Sequence, residues 1–284
     1  MKRLKLNKHK TLKYTKRSIL HLVLIIGGLF MILPFLWMIL ASFKPNIDII
    51  SVEFRLFSSN WTFDNYAKVF REMPIGRAYF NSLIIASVAT FFTVLSSSAA
   101  GYMFSKLKFR GRDLLFFIVL GSIMIPPQIV VIPLFLMISK VGLVNSYPAL
   151  IAPWLINAFG VFLMRQFIFG IPNSNIEAAR LDGASDWRIY VRIIIPLVKP
   201  TIAVVSILTF IWTYDAFLWP LVVVSDTDMM TLPLILGRYA MTEGGVIAGA
   251  SMATTSMVLV PVLIVYIFFQ RFFIKGLSMT GVKG

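Results

Sequence analysis

Five runs along the chain lack Lys, Arg, Asp and Glu altogether: Ser18–Phe43, Asn81–Ser105, Leu114–Ser139, Val141–Met164 and Gly244–Gln270. A sixth, Thr201–Ser225, is interrupted only by Asp215. A helix needs roughly 20 apolar residues to cross the hydrocarbon core. The pattern therefore predicts an all-α polytopic membrane protein with six transmembrane helices and both termini on one side. Between the fourth and fifth runs the pattern changes. Residues 172–200 form a polar island, with charged residues at helical spacing and a glycine in the middle.

Charge orients the spans. With the N-terminus in the cytoplasm, the inner segments hold eight Lys/Arg in residues 1–17, four in 105–113, five in 165–200 and three from 271 onward. The outer segments hold the other seven of the 27, together with seven acids, so the outside is neutral. This is the positive-inside pattern, and it places both termini in the cytoplasm. The net charge of +15 is thereby explained by topology and by a match to anionic membrane lipid, and no nucleic-acid partner is expected. Composition agrees. Charged residues make up 14% of the chain and hydrophobic residues 58%, against about 25% charged in soluble domains. Cysteine is absent, which removes disulfides and thiolate metal sites. The N-terminal apolar run exceeds a signal peptide's core and no A-x-A site follows it, so it reads as a retained first span.

The polar island reads as two short helices around a turn. Pro172-Asn173-Ser174 closes the fourth span, and Ser174 with Glu177 fits the S-x-x-E capping box. Ala178, Ala179 and Leu181 give a short helix with a small-residue face. Asp182-Gly183 ends it, with Gly183 suited to the left-handed position after a helix. A second helix is predicted over residues 186–195, and Pro196 and Pro200 mark entry to the fifth span. By itself this is either a capped connection between spans or a surface shaped for a partner.

Glu177-Ala178-Ala179, then Gly183, Ile193 and Pro196, resemble the EAA loop of binding-protein-dependent ABC importer permeases, written E-A-A-x3-G-x9-I-x-L-P. Ile195 stands where leucine is usual. Further pieces resemble the maltose-type carbohydrate permeases: Trp61-Thr62-Phe63-Asp64-Asn65-Tyr66, Asn81-Ser82-Leu83, Ile125-Pro126-Pro127, residues 167–172 and Gly281-Val282-Lys283-Gly284. The resemblance covers nearly the whole chain. It implies the type I ABC importer permease fold in a bacterial plasma (inner) membrane, with a basic tail over 1–17, a first transmembrane helix over 18–43, an extracytoplasmic segment over 44–77, a permease core over 78–274 containing the coupling loop 172–200, and a cytoplasmic tail over 275–284. It also implies partners: a second homologous permease in a heterodimer, two copies of a cytoplasmic ABC ATPase, an extracytoplasmic solute-binding protein and a carbohydrate substrate. Glu177, Ala178, Ala179, Asp182 and Gly183 would couple to the ATPase. The outer loop around Thr231, Arg238 and Gly245 would touch the binding protein, and the tail with Lys283 and Gly284 would face the ATPase. No G-x-x-x-x-G-K-[ST] phosphate loop is present, so the chain binds no cofactor of its own, and ATP-Mg belongs to a separate subunit.

Asp215 is the one acid inside a predicted span. Such residues usually face protein or water. Trp212, Asp215 and Trp219 fall on one face of a continuous helix. Carboxylate and indoles there suit a sugar, and they equally suit packing against a partner helix. Gln128, among Pro126, Pro127 and Pro133, and Asn157 are further candidates for the substrate path or for interhelical hydrogen bonds. Two other classes remain for comparison. A permease for a non-sugar solute such as glycerol phosphate has the same architecture. A secondary carrier would need several coupling-ion groups at mid-membrane. An intramembrane enzyme is not expected, because the spans hold neither paired carboxylates nor a nucleophile motif.

Overall fold

The structure is a computed structural model that describes residues 2–51, 56–58, 60–242 and 248–278. Among these, every regular element is helical, as expected where lipid leaves no water to satisfy backbone groups. The chain divides into two compact units, residues 1–72 with 243–257, and residues 73–242 with 258–284.

The first unit begins with α1 (Lys2–Ser42), followed by α2 (Asn46–Ile50) and α3 (Asp64–Glu72). Large apolar side chains from Ile19 to Ile39 are exposed on every side of α1, the signature of a helix solvated by lipid. Its end is tied down by the segment Trp61–Tyr66. Asn65 is buried, and its Nδ2 donates to Ser42 O at 2.9 Å and Lys44 O at 2.8 Å. Thr62 N donates to Phe43 O at 2.8 Å. The Phe43 ring meets Phe63 edge-on at 5.2 Å and Tyr66 at 5.0 Å. The last carbonyls of a helix lack intrahelical donors; here Phe43 N and Lys44 N close back on Leu40 O and Ala41 O, and Asn65 supplies the donor for Ser42 O. Residues 248–257 join this unit, where Gly249 N donates to Asn46 Oδ1 at 3.3 Å.

The second unit is built on α4 (Ile75–Lys106), an unbroken 32-residue helix. It is followed by α5 (Arg112–Ile123), α6 (Pro127–Lys140), α7 (Tyr147–Ile151) with a 3-10 turn, α8 (Ala158–Phe169), α9 (Asn173–Leu181) and α10 (Asp186–Ile189). The last of these runs through a π turn over Tyr190–Ile194 into α11 (Ile195–Leu197). Then come α12 (Lys199–Tyr214), α13 (Leu218–Val223), a 3-10 turn, α14 (Leu232–Thr242) and α15 (Ala248–Ser278), of which the part from Val258 belongs to this unit. The core is α4 against α8 and α12. A Cβ added at Gly101 on α4 would stand 2.7 Å from Met164 Cβ and 2.9 Å from the backbone N of Arg165 on α8. A Cβ at Gly160 on α8 would stand 2.4 Å from Ser97 Oγ. Small residues allow this approach, and close packing drives helix association in lipid.

Among the described residues, three helices are long and apolar enough to cross a membrane: Lys16–Ser42, Ile75–Lys106 and Ala248–Phe268. The other three expected spans are not straight helices. The run Leu114–Ser139 splits into α5 and α6, which meet at 103°. Pro126 and Pro127 lack backbone donors and hold the preceding residues extended. The run Val141–Met164 becomes helical only at Tyr147, bends by 43° and continues to Phe169. In the run Thr201–Ser225 the helix stops at Tyr214 and restarts at Leu218, and the bent pair here is Asp186–Leu197 with Lys199–Tyr214, at 78°. Counting each bent pair as one span gives up to six.

Candidate functional site

The segment 172–200 folds as a helix, a glycine turn and a second helix. The first helix starts at Asn173, with Pro172 at its cap and no side-chain cap bond. The expected Ser174–Glu177 capping box is therefore not formed, because the proline's fixed φ starts the helix earlier than the box requires. The turn is a Schellman closure. Gly183 has φ 78°, its N donates to Arg180 O at 3.0 Å, and Ala184 N donates to Ala179 O at 2.9 Å. Ser185 caps α10, its Oγ accepting from Arg188 N at 3.3 Å. Arg180 Nη2 donates to Asp186 Oδ1 across the turn at 2.9 Å. That bond holds the guanidinium pKa above its ordinary value.

One face of this loop is anchored and the other is free. Ile176, Ile189, Tyr190 and Ile194 are buried with Tyr102 of α4 and Met164 and Ile168 of α8, and Ala179 packs on the same cluster. Tyr190 OH shares a 2.7 Å hydrogen bond with Ser98 Oγ. Tyr102 OH donates to Asp186 Oδ1 at 3.4 Å. Lys106 Nζ, at the end of α4, donates to Ile171 O at 2.5 Å, to Asn173 Oδ1 at 2.8 Å and to Phe169 O at 3.3 Å. It thus caps the end of α8 and holds the start of α9. On the free face Glu177, Ala178, Asp182 and Gly183 are exposed. Beside them are Leu181, 89% exposed, and Trp187, 69% exposed. The last two were not singled out from the sequence as contacts. Their signal was present as two large apolar residues in a polar island.

The other end of α4 holds the loop before α14. Asn81 Nδ2 donates to Asp228 O at 2.8 Å and Met230 O at 2.9 Å. Asn81 Oδ1 accepts from Tyr147 OH at 2.6 Å, and Ser82 Oγ accepts from Leu232 N at 2.8 Å. Asn145 Oδ1 accepts from Ser225 N at 2.6 Å and Asp226 N at 3.1 Å. Asn145 itself takes a left-handed φ of 59°, which asparagine tolerates well. Thr231, expected at a partner surface, is only 4% exposed. The reason is that the neighbouring Leu232 backbone is bonded to α4, which turns the start of α14 inward. The Arg238 side chain and Gly245 lie outside the described residues, as do Lys283 and Gly284.

Residues 93–278 match the family of binding-protein-dependent transport system inner membrane components. The chain belongs to this family. It is 38% identical over 280 residues to the arabinooligosaccharides transport system permease protein AraQ of Halalkalibacterium halodurans, covering 96% of this chain and 100% of that protein. It is 32% identical to the diacetylchitobiose uptake system permease protein NgcG of Streptomyces coelicolor, covering 89% of this chain and 85% of that one. Among solved structures, a bacterial ABC transporter that imports the acidic polysaccharide alginate superposes with a TM-score of 0.77 at 25% identity, covering 90% of this chain and 96% of that one. The permease is thus an all-helical membrane component of the ABC importer type.

The residues expected along a substrate path are dispersed in this permease. Trp212 is half-exposed, with its ring 5.7 Å from Phe159. Asp215 is the exposed residue just past α12. Trp219 is buried, and its indole N–H donates to Ala149 O at 3.0 Å. The helix unwinds at residues 215–217, so the three residues share no continuous helical face. Gln128 is exposed in the first turn of α6. Asn157 caps α8, its Oδ1 accepting from Gly160 N at 2.8 Å. A 310 Å³ cavity lies between α4, α12 and α15, with Ser87, Thr90, Phe91, Ser206 and Phe210 among its walls. None of the five expected path residues lines it.

Proposed function

We propose that this permease is the membrane subunit of an ATP-driven importer that carries an oligosaccharide or sugar derivative into a bacterial cytoplasm. The observation that carries the reading is the loop 172–200: an anchored helix-turn-helix with an exposed face, in a chain of the binding-protein-dependent transport family. The relatives named above support the substrate class, since arabinooligosaccharides, diacetylchitobiose and alginate are all carbohydrates. Nothing comparable supports a non-sugar solute.

In this reading six spans cross the plasma membrane and both termini lie in the cytoplasm. A second, homologous permease completes the pathway, and two ATPase subunits sit beneath the pair. Glu177, Ala178, Ala179, Asp182 and Gly183 form the surface that enters the ATPase, with Leu181 and Trp187 as apolar anchors. Tryptophan is enriched among the few residues that carry most of an interface's binding energy. Arg238 and Gly245 remain candidates for the binding-protein contact, and Lys283 and Gly284 for an ATPase-facing tail. Binding protein and ATP act by preferring one of the permease's states over another, and the coupling loop conveys that preference.

Reconstitution in proteoliposomes tests the assignment. Oligosaccharide uptake is expected only when the second permease, the ATPase and the binding protein are all present. Saturable uptake by this chain alone would overturn it in favour of a secondary carrier. A cysteine at Leu181 (the chain has none of its own) is expected to cross-link to the ATPase in the assembled complex.

A further inference from the structure

The helix α4 grips one loop at each end. Near its start Asn81 and Ser82 bond to the backbone of residues 228–232. Near its finish Ser98, Tyr102 and Lys106 bond to the coupling loop and to the chain entering it. Twenty-five residues separate Asn81 from Lys106, about 37 Å along the axis at 1.5 Å per residue. No proline and no break interrupts this stretch. The covalent route between the same two loops is different in kind. It turns by 78° between α11 and α12 and unwinds between Tyr214 and Leu218. Bends and unwound residues absorb displacement, whereas a continuous helix in a close-packed core transmits it.

We propose that α4 is the strut that links the outer loop 228–232 to the coupling loop, with Asn81 and Lys106 as positioning residues at its two ends. The proposal rests on the importer reading above. A displacement of the outer loop when the binding protein docks is carried through the Asn81 bonds, along the helix axis, and into α9 through the Lys106 bonds. ATPase stimulation by the binding protein then depends on both ends and on the stiffness between them.

The test uses the assembled importer and its solute-loaded binding protein, and reads the fold-stimulation of ATPase activity. Asn81→Ala and Lys106→Met are each expected to reduce stimulation by about 2- to 30-fold, the range of long-range coupling energies. Distant sites normally act additively. Here the double variant is expected to lose no more than the worse single one, because either break disconnects the same strut. Losses that multiply would overturn the proposal. A second pair of variants leaves both ends untouched. Leu95→Ala and Leu95→Gly truncate the same half-exposed side chain, but glycine also softens the helix by about 1 kcal/mol. Stimulation is expected to fall further in Leu95→Gly than in Leu95→Ala, and equal values would overturn the strut. If the wild-type complex is not stimulated at all, the importer reading falls together with the proposal. If it is stimulated and the variants multiply, only the strut falls.

Discussion

The two loops at the ends of α4 differ in where their hydrogen bonds come from. The loop 172–200, proposed above to couple to the ATPase, makes its own turn. Gly183 supplies the left-handed backbone, Ala184 and Gly183 close onto carbonyls within five residues, and Ser185 caps the next helix. The loop before α14 has a short turn of its own, capped by Asp226, but its position is held from a distance. Asn81 reaches carbonyls 147 and 149 positions away, and Ser82 accepts from an amide 150 positions away. A self-made turn keeps its shape whatever moves beside it, which suits a surface that must fit a partner. A position held from a distance follows the helix that holds it, which suits a segment whose movement is to be passed on.

That contrast can be broken most severely from a distance. Asn81→Leu leaves the Asp228 and Met230 carbonyls without their donor, at about 1–3 kcal/mol for the buried Met230 carbonyl left unpaired. Hydrogen exchange over residues 228–232 is expected to accelerate and the melting temperature in detergent to fall. Unchanged exchange would mean that the outer loop orders itself after all. Next in size is a change inside the coupling loop. Gly183→Val places a β-branched residue at φ 78°, where an L-residue costs about 1–2 kcal/mol. Transport is expected to collapse while the outer loop keeps its protection, and Gly183→Asn, which tolerates that backbone, is expected to retain transport. Wild-type transport in Gly183→Val would show that the turn's geometry is not needed.

Smaller effects sharpen the picture. Ser185→Ala removes the cap of α10, worth about 1 kcal/mol, and frayed exchange confined to the first turn of that helix is the expected readout. Arg180→Ala should do least. Its ion pair with Asp186 is about half exposed on both sides, and exposed pairs contribute about 0.2–1 kcal/mol. Thermal stability is expected to be nearly unchanged, and a large loss would reveal an Arg180 role that the ion pair does not account for.

Legibility divides along the same line. The motif spacing and the Gly183 turn were readable because turn chemistry depends on residues within one helical turn of each other. The start of α9 was misplaced for a local reason: Pro172 and the capping box of Ser174 and Glu177 compete for the same helix end, and propensity alone does not say which one wins. The apolar runs located the membrane-embedded parts, yet Leu114–Ser139 and Thr201–Ser225 looked continuous because hydrophobicity counts residues and carries no direction. The face assigned to Trp212, Asp215 and Trp219 failed for that reason, since a spacing of three and seven implies one face only if the helix does not unwind between them.

By itself the sequence determined the membrane habit of this permease, through long apolar runs that only lipid or other helices can solvate. It determined the turn at Gly183, through a glycine whose backbone freedom no other residue matches. Only the tertiary structure decided where Asn81, Lys106 and Asn65 find their partners, and which of the apolar runs bend. Those outcomes depend on groups up to 150 residues apart meeting in a core too close-packed to leave a backbone carbonyl unpaired.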